Sequence, residues 1–257
     1  MRGLESAFWG APLTVTLRAA ARSDVGCHRV VNEDRYAMAP GLGLFLVADG
    51  VGGHRSGQIA SGLAAHVTVA TVREFRGDSI RPLEVLRHAV DRAHREIGRR
   101  ARRKRALHGM GTTLVAALMT TENRITLAHV GDSRAYLIRD RGIRQLTVDH
   151  SWVGEMVQRR QMTEADARAH PQRHVLTRAL GMPGSARPEF LELTLQADDR
   201  LLLCSDGLTE PLSDDEILSH VLSAQSPESA CALLVHSAIE KGGLDNVTSL
   251  LLCPPEA

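Results

Sequence analysis

Short apolar runs alternate along the chain with longer segments whose apolar residues recur every three or four positions. The run 42–48 is stopped by Asp49 and Gly50, and its length and bounds predict a buried strand. Two helical periods follow, and the second, clearer one leads into the basic run 99–105. These periods consist of Ile59, Leu63 and Val67, and then of Leu83, Leu86, Val90, Ala93 and Ile97.

Strand patterns return after the basic run. Segments 112–119, 125–130 and 135–139 are apolar, and one of their short connections contains Gly131 and Asp132. This spacing favours an antiparallel meander. The remaining predicted elements are a polar helical stretch at 151–170, strands at 190–195, 201–204 and 247–253, a helix capped at Ser213 and a helix over 229–240.

The order of the elements indicates the fold class. Strands come in consecutive groups with helices between the groups, which favours an α+β layered domain over a doubly wound parallel sheet. The 257 residues show no internal repeat and no low-complexity linker, so a single domain over 1–257 is the simplest organisation.

Composition narrows the class of partner. The formal net charge is +1 and only 3% of the residues are aromatic, which argues against nucleic-acid binding. No apolar run approaches the ~20 residues of a membrane span. We therefore expect no membrane partner. The four cysteines are widely scattered, so we expect free thiols and a cytoplasmic protein. We interpret the run 99–105 as a solvated helix C-terminus, and recruitment of an acidic partner or nucleic acid is the alternative.

Three aspartates stand where apolar strands end or begin. Asp49 follows the run 42–48, Asp206 follows 201–204, and Asp245 precedes 247–253. Carboxylates converging on one rim would repel each other unless a cation neutralised them, and Mg²⁺ or Mn²⁺ prefers such oxygen ligands. Each motif is also an ordinary turn, so spacing alone leaves a metal site and three separate turns both open.

A series of short motifs follows a specific order along the chain. The motifs are 23–26, Arg29, 32–34, 47–54, 111–113, 130–134, 204–207 and 245–248. Each is weak by itself. In this order, from about Ser23 to Leu252, they resemble the protein phosphatase 2C family of metal-dependent protein phosphatases, and in particular its compact bacterial members.

The resemblance implies a fold and a metal site. The fold would be a four-layer α-β-β-α sandwich, with two central antiparallel sheets flanked by helix pairs and a motif-matched core at about 15–253. Asp49 would bridge two Mn²⁺ or Mg²⁺ ions, and the carbonyl of Gly50 would complete the first site. Asp206 and Asp245 would hold the second ion. The other implied ligands are Glu33 and Asp34, through water, and Asp132, for a third and weaker ion.

The resemblance also implies the reaction. Two ions share a water, lower its pKa and direct it at phosphorus, while Arg29 matches the arginine that binds substrate phosphate. Val51 stands where many eukaryotic relatives place a histidine that protonates the leaving group, and His54 does not inherit that role. A metal-bound water is the expected proton donor. Cys204 is interpreted as strand packing rather than as a nucleophile.

One further segment corresponds to a variable part of the family. Residues 152–185 match the flap beside the site, and bacterial relatives often carry Ser, whose carbonyl can contact the third ion, where His174 stands. A mobile flap over a rigid site is a common way to tune substrate choice.

We therefore predict a monomeric, cytoplasmic serine/threonine protein phosphatase. Its substrates would be phosphorylated proteins, and by resemblance it would oppose a bacterial serine/threonine kinase and act on that kinase's targets. A pseudophosphatase is one alternative, which the intact Asp49, Asp206 and Asp245 disfavour. A small-molecule phosphatase or phosphodiesterase with the same metal chemistry is the other.

Overall fold

Residues 17–52, 56–78, 80–120, 123–184 and 186–254 are described by a computed structural model. The strands in these ranges are β1 (Arg18–Asp24), β2 (Arg35–Ala39), β3 (Leu44–Ala48), β4 (Gly50–Val51), β5 (Gly111–Thr112), β6 (Leu114–Met119), β7 (Arg124–Val130), β8 (Arg134–Arg139), β9 (Gly142–Gln145), β10 (Glu189–Thr194), β11 (Arg200–Cys204) and β12 (Val247–Cys253). The α-helices are α1 (Ser56–Glu74), α2 (Pro82–Arg103), α3 (Trp152–Gln158), α4 (Glu164–Ala169), α5 (Asp206–Thr209), α6 (Asp214–Ser223) and α7 (Pro227–Glu240).

Two five-stranded antiparallel sheets form the centre of the fold. Sheet I has the strand order β1-β12-β11-β8-β9, and sheet II has the order β10-β7-β6-β3-β2. The short strands β4 and β5 pair separately, with Gly50 opposite Thr112. In sheet I, β12 pairs with β1 on one side and β11 on the other, so the last of the described strands lies beside the first.

Three apolar layers hold these elements together. Between the sheets, Val47 and Val115 of sheet II pack in one cluster with Leu203 and Leu250 of sheet I. Helices α1 and α2 pack on the outer face of sheet II, and α6 and α7 pack on the outer face of sheet I. The predicted four-layer sandwich is thereby confirmed.

The predicted meander is wrong in its third strand. β6 and β7 pair as expected, but β8 pairs with β11 and β9 in sheet I. The chain crosses between the sheets at Gly131, whose φ is 106° and where a Cβ would lie 2.6 Å from the Thr113 side chain. Both β7 and β8 are buried on both faces over most of their length, so their apolar runs do not distinguish one sheet from the other.

Helix α1 also buries a different face from the one its period predicted. Ile59, Leu63 and Val67 are only partly buried, whereas Ala60 and Ala64 are fully buried. Small side chains on the inner face let the helix approach sheet II and β4 closely.

Helix α2 carries its predicted apolar stripe, and the basic run follows it. Leu86, Val90 and Ile97 are fully buried. Arg99, the first residue of the run, is half exposed and pairs with Glu96 at 2.5 Å. This exposed, positively charged helix end fits the interpretation of a solvated C-terminus. Among the helices of the described ranges, none combines the length and apolarity needed to cross a membrane.

Candidate metal centre

Two of the predicted acids flank neighbouring strands of sheet II. Asp34 immediately precedes β2, and Asp49 immediately follows β3. Because Arg35 pairs with Ala48 in the register of these strands, both aspartates leave the sheet at the same end.

Two more acids lie at the matching end of sheet I. Asp206 begins α5 just after β11, and Asp245 lies just before β12. The backbone N–H of Ser205 donates to the carbonyl of Thr248 at 3.1 Å, so the two segments are adjacent. The sandwich therefore brings acids from both sheets to one edge.

Asp34 connects the two sheets. Its Oδ2 accepts hydrogen bonds from Ser205 Oγ at 2.7 Å and from Thr248 Oγ1 at 2.6 Å. Its Oδ1 is buried and has no hydrogen-bond partner among the described residues. A buried oxygen without a donor is costly, and a cation or a bound water would satisfy it.

The Gly111–Thr113 motif fixes the backbone of Asp49. Asp49 N–H donates to Thr113 Oγ1 at 2.9 Å, and Asp49 carbonyl accepts from Thr112 Oγ1 and from Thr113 N–H, both at 2.8 Å. Thr113 Oγ1 also lies 2.6 Å from Ser133 Oγ, in the turn that carries Asp132. These threonines therefore connect the segments that carry two of the predicted ligands.

A close backbone contact explains the glycine at position 50. A Cβ on Gly50 would lie 2.2 Å from the carbonyl oxygen of Gly57 in α1, and a Cβ on Gly57 would lie 2.5 Å from the carbonyl oxygen of Gly50. Neither position admits a side chain without movement of the backbone. The first turn of α1 therefore packs directly against the predicted carbonyl ligand.

Asn246 ties the loop between β1 and β2 to the start of β12. Its Nδ2 donates to the carbonyls of Val25 and Val31 at 2.9 and 3.1 Å, and its Oδ1 accepts from Glu33 N–H at 2.8 Å. The sequence motifs contain Asn246, Ser205 and Thr248 but suggested no role for them. The signal that could have found them is a polar residue beside an acid at the end of a buried strand.

Arg29 lies at the rim of the cluster. Its Nη2 donates to Asp245 Oδ2 at 2.6 Å, and Asp245 Oδ1 accepts from the N–H of Asn246 at 2.7 Å. The Arg29 side chain is 50% exposed, so solvent reaches the guanidinium. The structure thus places Arg29 beside the acids, with one donor bonded to Asp245.

His150 holds the turn before Asp132. The backbone N–H of His150 donates to the carbonyl of Gly131 at 2.8 Å, and Gly131 N–H donates to His150 Nδ1 at 3.1 Å. This double contact fixes Asp132 at the same edge of the sandwich.

The clustered acids raise one another's pKa values. Burial and then the charges of neighbouring aspartates, Asp34 first, raise the pKa of Asp49 well above its ordinary value. Burial and the charge of Asp245 raise the pKa of Asp206. Burial and the charge of Asp206 raise that of Asp132, and burial raises the pKa of Asp34 to about 7. The cluster therefore resists full ionisation in the absence of cations.

The donor set fits hard divalent cations. After burial and the charge of Asp34, the charge of Asp206 raises the pKa of Asp49, and a cation between the two carboxylates would relieve this repulsion. Asp206 Oδ1, like Asp34 Oδ1, is buried without a hydrogen-bond partner among the described residues. Several carboxylates and a nearby backbone carbonyl are the ligands that Mg²⁺ and Mn²⁺ prefer.

A second arrangement of ligands adjoins this cluster. In the part of the chain that the structure describes, the side chains of His174, Asp206 and Glu210 offer three ligand atoms that lie within 4.8 Å of one another. Asp49 and Asp245 do not join Asp206 in an equally tight group. The i, i+4 spacing of Asp206 and Glu210 is the sequence signal for this pair of ligands.

Two further predictions concern Cys204 and position 51. Cys204 is fully buried, and burial raises the pKa of its thiol to about 12, so it is a packed thiol as predicted. All four cysteines are free. Val51 belongs to β4, and His54 lies outside the described residues.

The predicted flap contains α3 and α4. A cavity of about 450 Å³ lies beneath these helices. Its lining joins the flap to the acidic edge and includes Val153, Ala167, Asp132, Asp206, Glu210 and Arg173.

Comparison with known proteins agrees with this geometry. The family model described as "Protein phosphatase 2C" matches residues 28–233. The serine/threonine protein phosphatase PstP of Mycobacterium tuberculosis is 40% identical over 239 residues, which cover 93% of this chain and 45% of the relative. The chain thus spans about half the length of that relative. The serine/threonine phosphatase stp of Listeria monocytogenes is 36% identical over 241 residues, which cover 92% of this chain and 95% of the relative.

A solved structure shows the same fold. It is the catalytic domain of the serine/threonine protein phosphatase PstP in complex with two manganese ions. It matches with a TM-score of 0.82 and 36% identity over 95% of this chain and 100% of the other.

Proposed function

Because the chain belongs to the protein phosphatase 2C family, we propose that its acidic edge binds two Mn²⁺ or Mg²⁺ ions and hydrolyses phosphoserine and phosphothreonine in proteins. The family predicted from the sequence is confirmed. The observation that carries the proposal is the convergence of Asp49, Asp206 and Asp245 from both sheets. The buried Oδ1 atoms of Asp34 and Asp206, which have no donor among the described residues, support it.

The proposed ligand roles follow from position. Asp49 is assigned as the bridge between two ions, because burial and then the charges of Asp34, Asp206 and Asp132 all raise its pKa, and the carbonyl of the adjoining Gly50 completes the first site. Asp206 and Asp245 hold the second ion. The other proposed ligands are Glu33 and Asp34, acting through water, and Asp132, for a third ion.

When bound, the cations would lower the pKa of a water and stabilise charge on the phosphoryl oxygens. The chain's own residues orient the substrate. The exposed guanidinium of Arg29 offers paired donors that match two phosphate oxygens, and its bond to Asp245 aims it at the acidic edge. Val51 has no proton to give, so it cannot protonate the leaving alkoxide.

We infer a single phosphatase domain over 1–257, with 152–185 as the flap that tunes substrate choice. The substrates are phosphoproteins, and relatives named serine/threonine phosphatases support this class. We further propose a cytoplasmic monomer that opposes a serine/threonine kinase and acts on its targets.

Phosphate release from phosphoserine and phosphothreonine peptides tests the proposal. We expect release with Mn²⁺ or Mg²⁺, none with chelator, and unchanged turnover after thiol alkylation, with Cys27→Ser as the control for the exposed thiol. Turnover that survives EDTA would contradict the metal mechanism. Faster release from sugar phosphates or nucleotides would indicate a small-molecule phosphatase, and no release from any substrate would indicate a pseudophosphatase.

A further inference from the structure

We propose that His174 of the flap, Glu210 and Asp206 form a cation site with an imidazole ligand, which attaches the flap to the catalytic edge. The inference shares Asp206 with the proposed function and otherwise rests on two residues to which the resemblance gives no side-chain role. A third ion held by a backbone carbonyl at position 174 would need no imidazole, so a nitrogen ligand distinguishes the proposed site from that ion.

The two carboxylates share one face of a helical turn. The backbone N–H of Glu210 donates to the carbonyl of Asp206 at 2.8 Å, which closes the turn and places the side chains four positions apart in register. His174 approaches from the flap, with Nδ1 2.9 Å from Glu210 Oε1. The ligand atoms of all three side chains lie within 4.8 Å of one another, a separation that one ion can span.

A second observation points to a ligand at this place. Asp206 supplies one of the three proposed ligands, and its Oδ1 is buried with no hydrogen-bond partner in the described part of the chain. The cavity of about 450 Å³ beneath the flap is lined by Asp206 and Glu210 and provides a path for an ion. Arg173 Nε lies 3.8 Å from the same Glu210 Oε1, which is within ion-pair range but beyond hydrogen-bond length.

The ligand types select the ion. One imidazole nitrogen and two carboxylates suit Mn²⁺, Fe²⁺, Co²⁺ or Zn²⁺, whereas Mg²⁺ prefers oxygen ligands and retains its waters. Mn²⁺ should therefore fill the site at concentrations at which Mg²⁺ leaves it empty. Because His174 lies between α4 and β10 while Glu210 follows α5, a bound ion would couple the flap position to the catalytic edge.

Pulsed electron paramagnetic resonance of the Mn²⁺-loaded protein tests this site. The full chain saturated with Mn²⁺ should show ¹⁴N coupling from one imidazole. His174→Ala should remove the coupling, and both His174→Ala and the isosteric Glu210→Gln should weaken one Mn²⁺ site at least tenfold in calorimetry. His236→Ala is the matched control, because it removes the histidine of another exposed His–Glu pair, whose Nε2 lies 3.3 Å from Glu240.

Several outcomes would overturn the inference. One is the absence of ¹⁴N coupling in the unmodified protein, and another is coupling that persists in His174→Ala. A third is Mn²⁺ binding that is unchanged in both variants, which would mean that His174 and Glu210 form only an ion pair. The same titration keeps the proposed function separate. Two tightly bound ions and phosphate release without nitrogen coupling would refute only the flap site. A single nitrogen-coupled ion without turnover would refute only the phosphatase proposal.

Discussion

The substitution Asp34→Asn should separate the stability of the cation-free protein from its affinity for metal. Burial raises the pKa of Asp34 from its ordinary 3.8 to about 7. Below pH 3.8 the Asp34 carboxyl is protonated in both the folded and the unfolded protein, so it does not lower the stability of the fold. As the pH rises above 3.8, Asp34 ionises in the unfolded chain but stays protonated in the folded protein, which favours unfolding. This loss of stability grows until the pH passes the folded pKa of about 7 and is constant above it.

The structure sets the size of the effect. At about 1.4 kcal/mol for each tenfold change in ionisation constant, the interval from 3.8 to about 7 gives an upper limit of about 4 kcal/mol. The asparagine oxygen still accepts from the hydroxyls of Ser205 and Thr248, but its amide donor replaces Oδ1 and must find an acceptor. Such an unpaired donor costs about 1–3 kcal/mol. We therefore expect a net gain of about 1–3 kcal/mol near pH 8.

Urea unfolding with EDTA measures this gain near pH 8. Near pH 4 the ionisation penalty is nearly absent, so the cost of the unpaired amide donor should leave the variant less stable than the unmodified protein. In saturating Mn²⁺ the order should reverse, because the variant has lost a charge that favours the ions. Asp198→Asn, which removes an exposed carboxylate, is the control and should show neither effect. A variant less stable than the unmodified protein in EDTA near pH 8, or a gain independent of pH, would refute the reasoning.

Three further predictions test the layout of the site. Arg29→Ala should lower kcat/KM for phosphopeptides, with a loss of transition-state stabilisation of about 1–3 kcal/mol, and should leave Mn²⁺ affinity nearly unchanged. An unaltered kcat/KM would exclude Arg29 from phosphate binding. Asp49→Asn should abolish turnover and weaken Mn²⁺ binding in calorimetry, whereas Asp132→Ala should keep two ions and still turn over more slowly; full activity of Asp132→Ala would indicate an ordinary turn. Gly57→Ala places a Cβ 2.5 Å from a carbonyl oxygen and should lower unfolding free energy by about 1–3 kcal/mol, whereas Gly62→Ala in the same helix meets nothing within 4 Å and should not.

Local sequence determined the elements that carry the site. The apolar run before Asp49 is β3, and the run before Asp206 is β11, because a buried strand needs only a short apolar segment with a turn after it. The predicted capping box at Ser213 is present, since its two hydrogen bonds involve residues only three positions apart. The motif order further indicated which acids would meet, and the fold brings them to one edge.

Tertiary structure alone decided how these elements combine. β8 belongs to sheet I although its sequence fits a meander with β7, because a strand buried on both faces has no periodicity that specifies its partner. The contacts of Asn246 with the loop between β1 and β2, and the approach of His174 to Glu210, join segments far apart in sequence. Such contacts depend on the packing of whole layers, and no local pattern of apolar and polar residues encodes a distance between them.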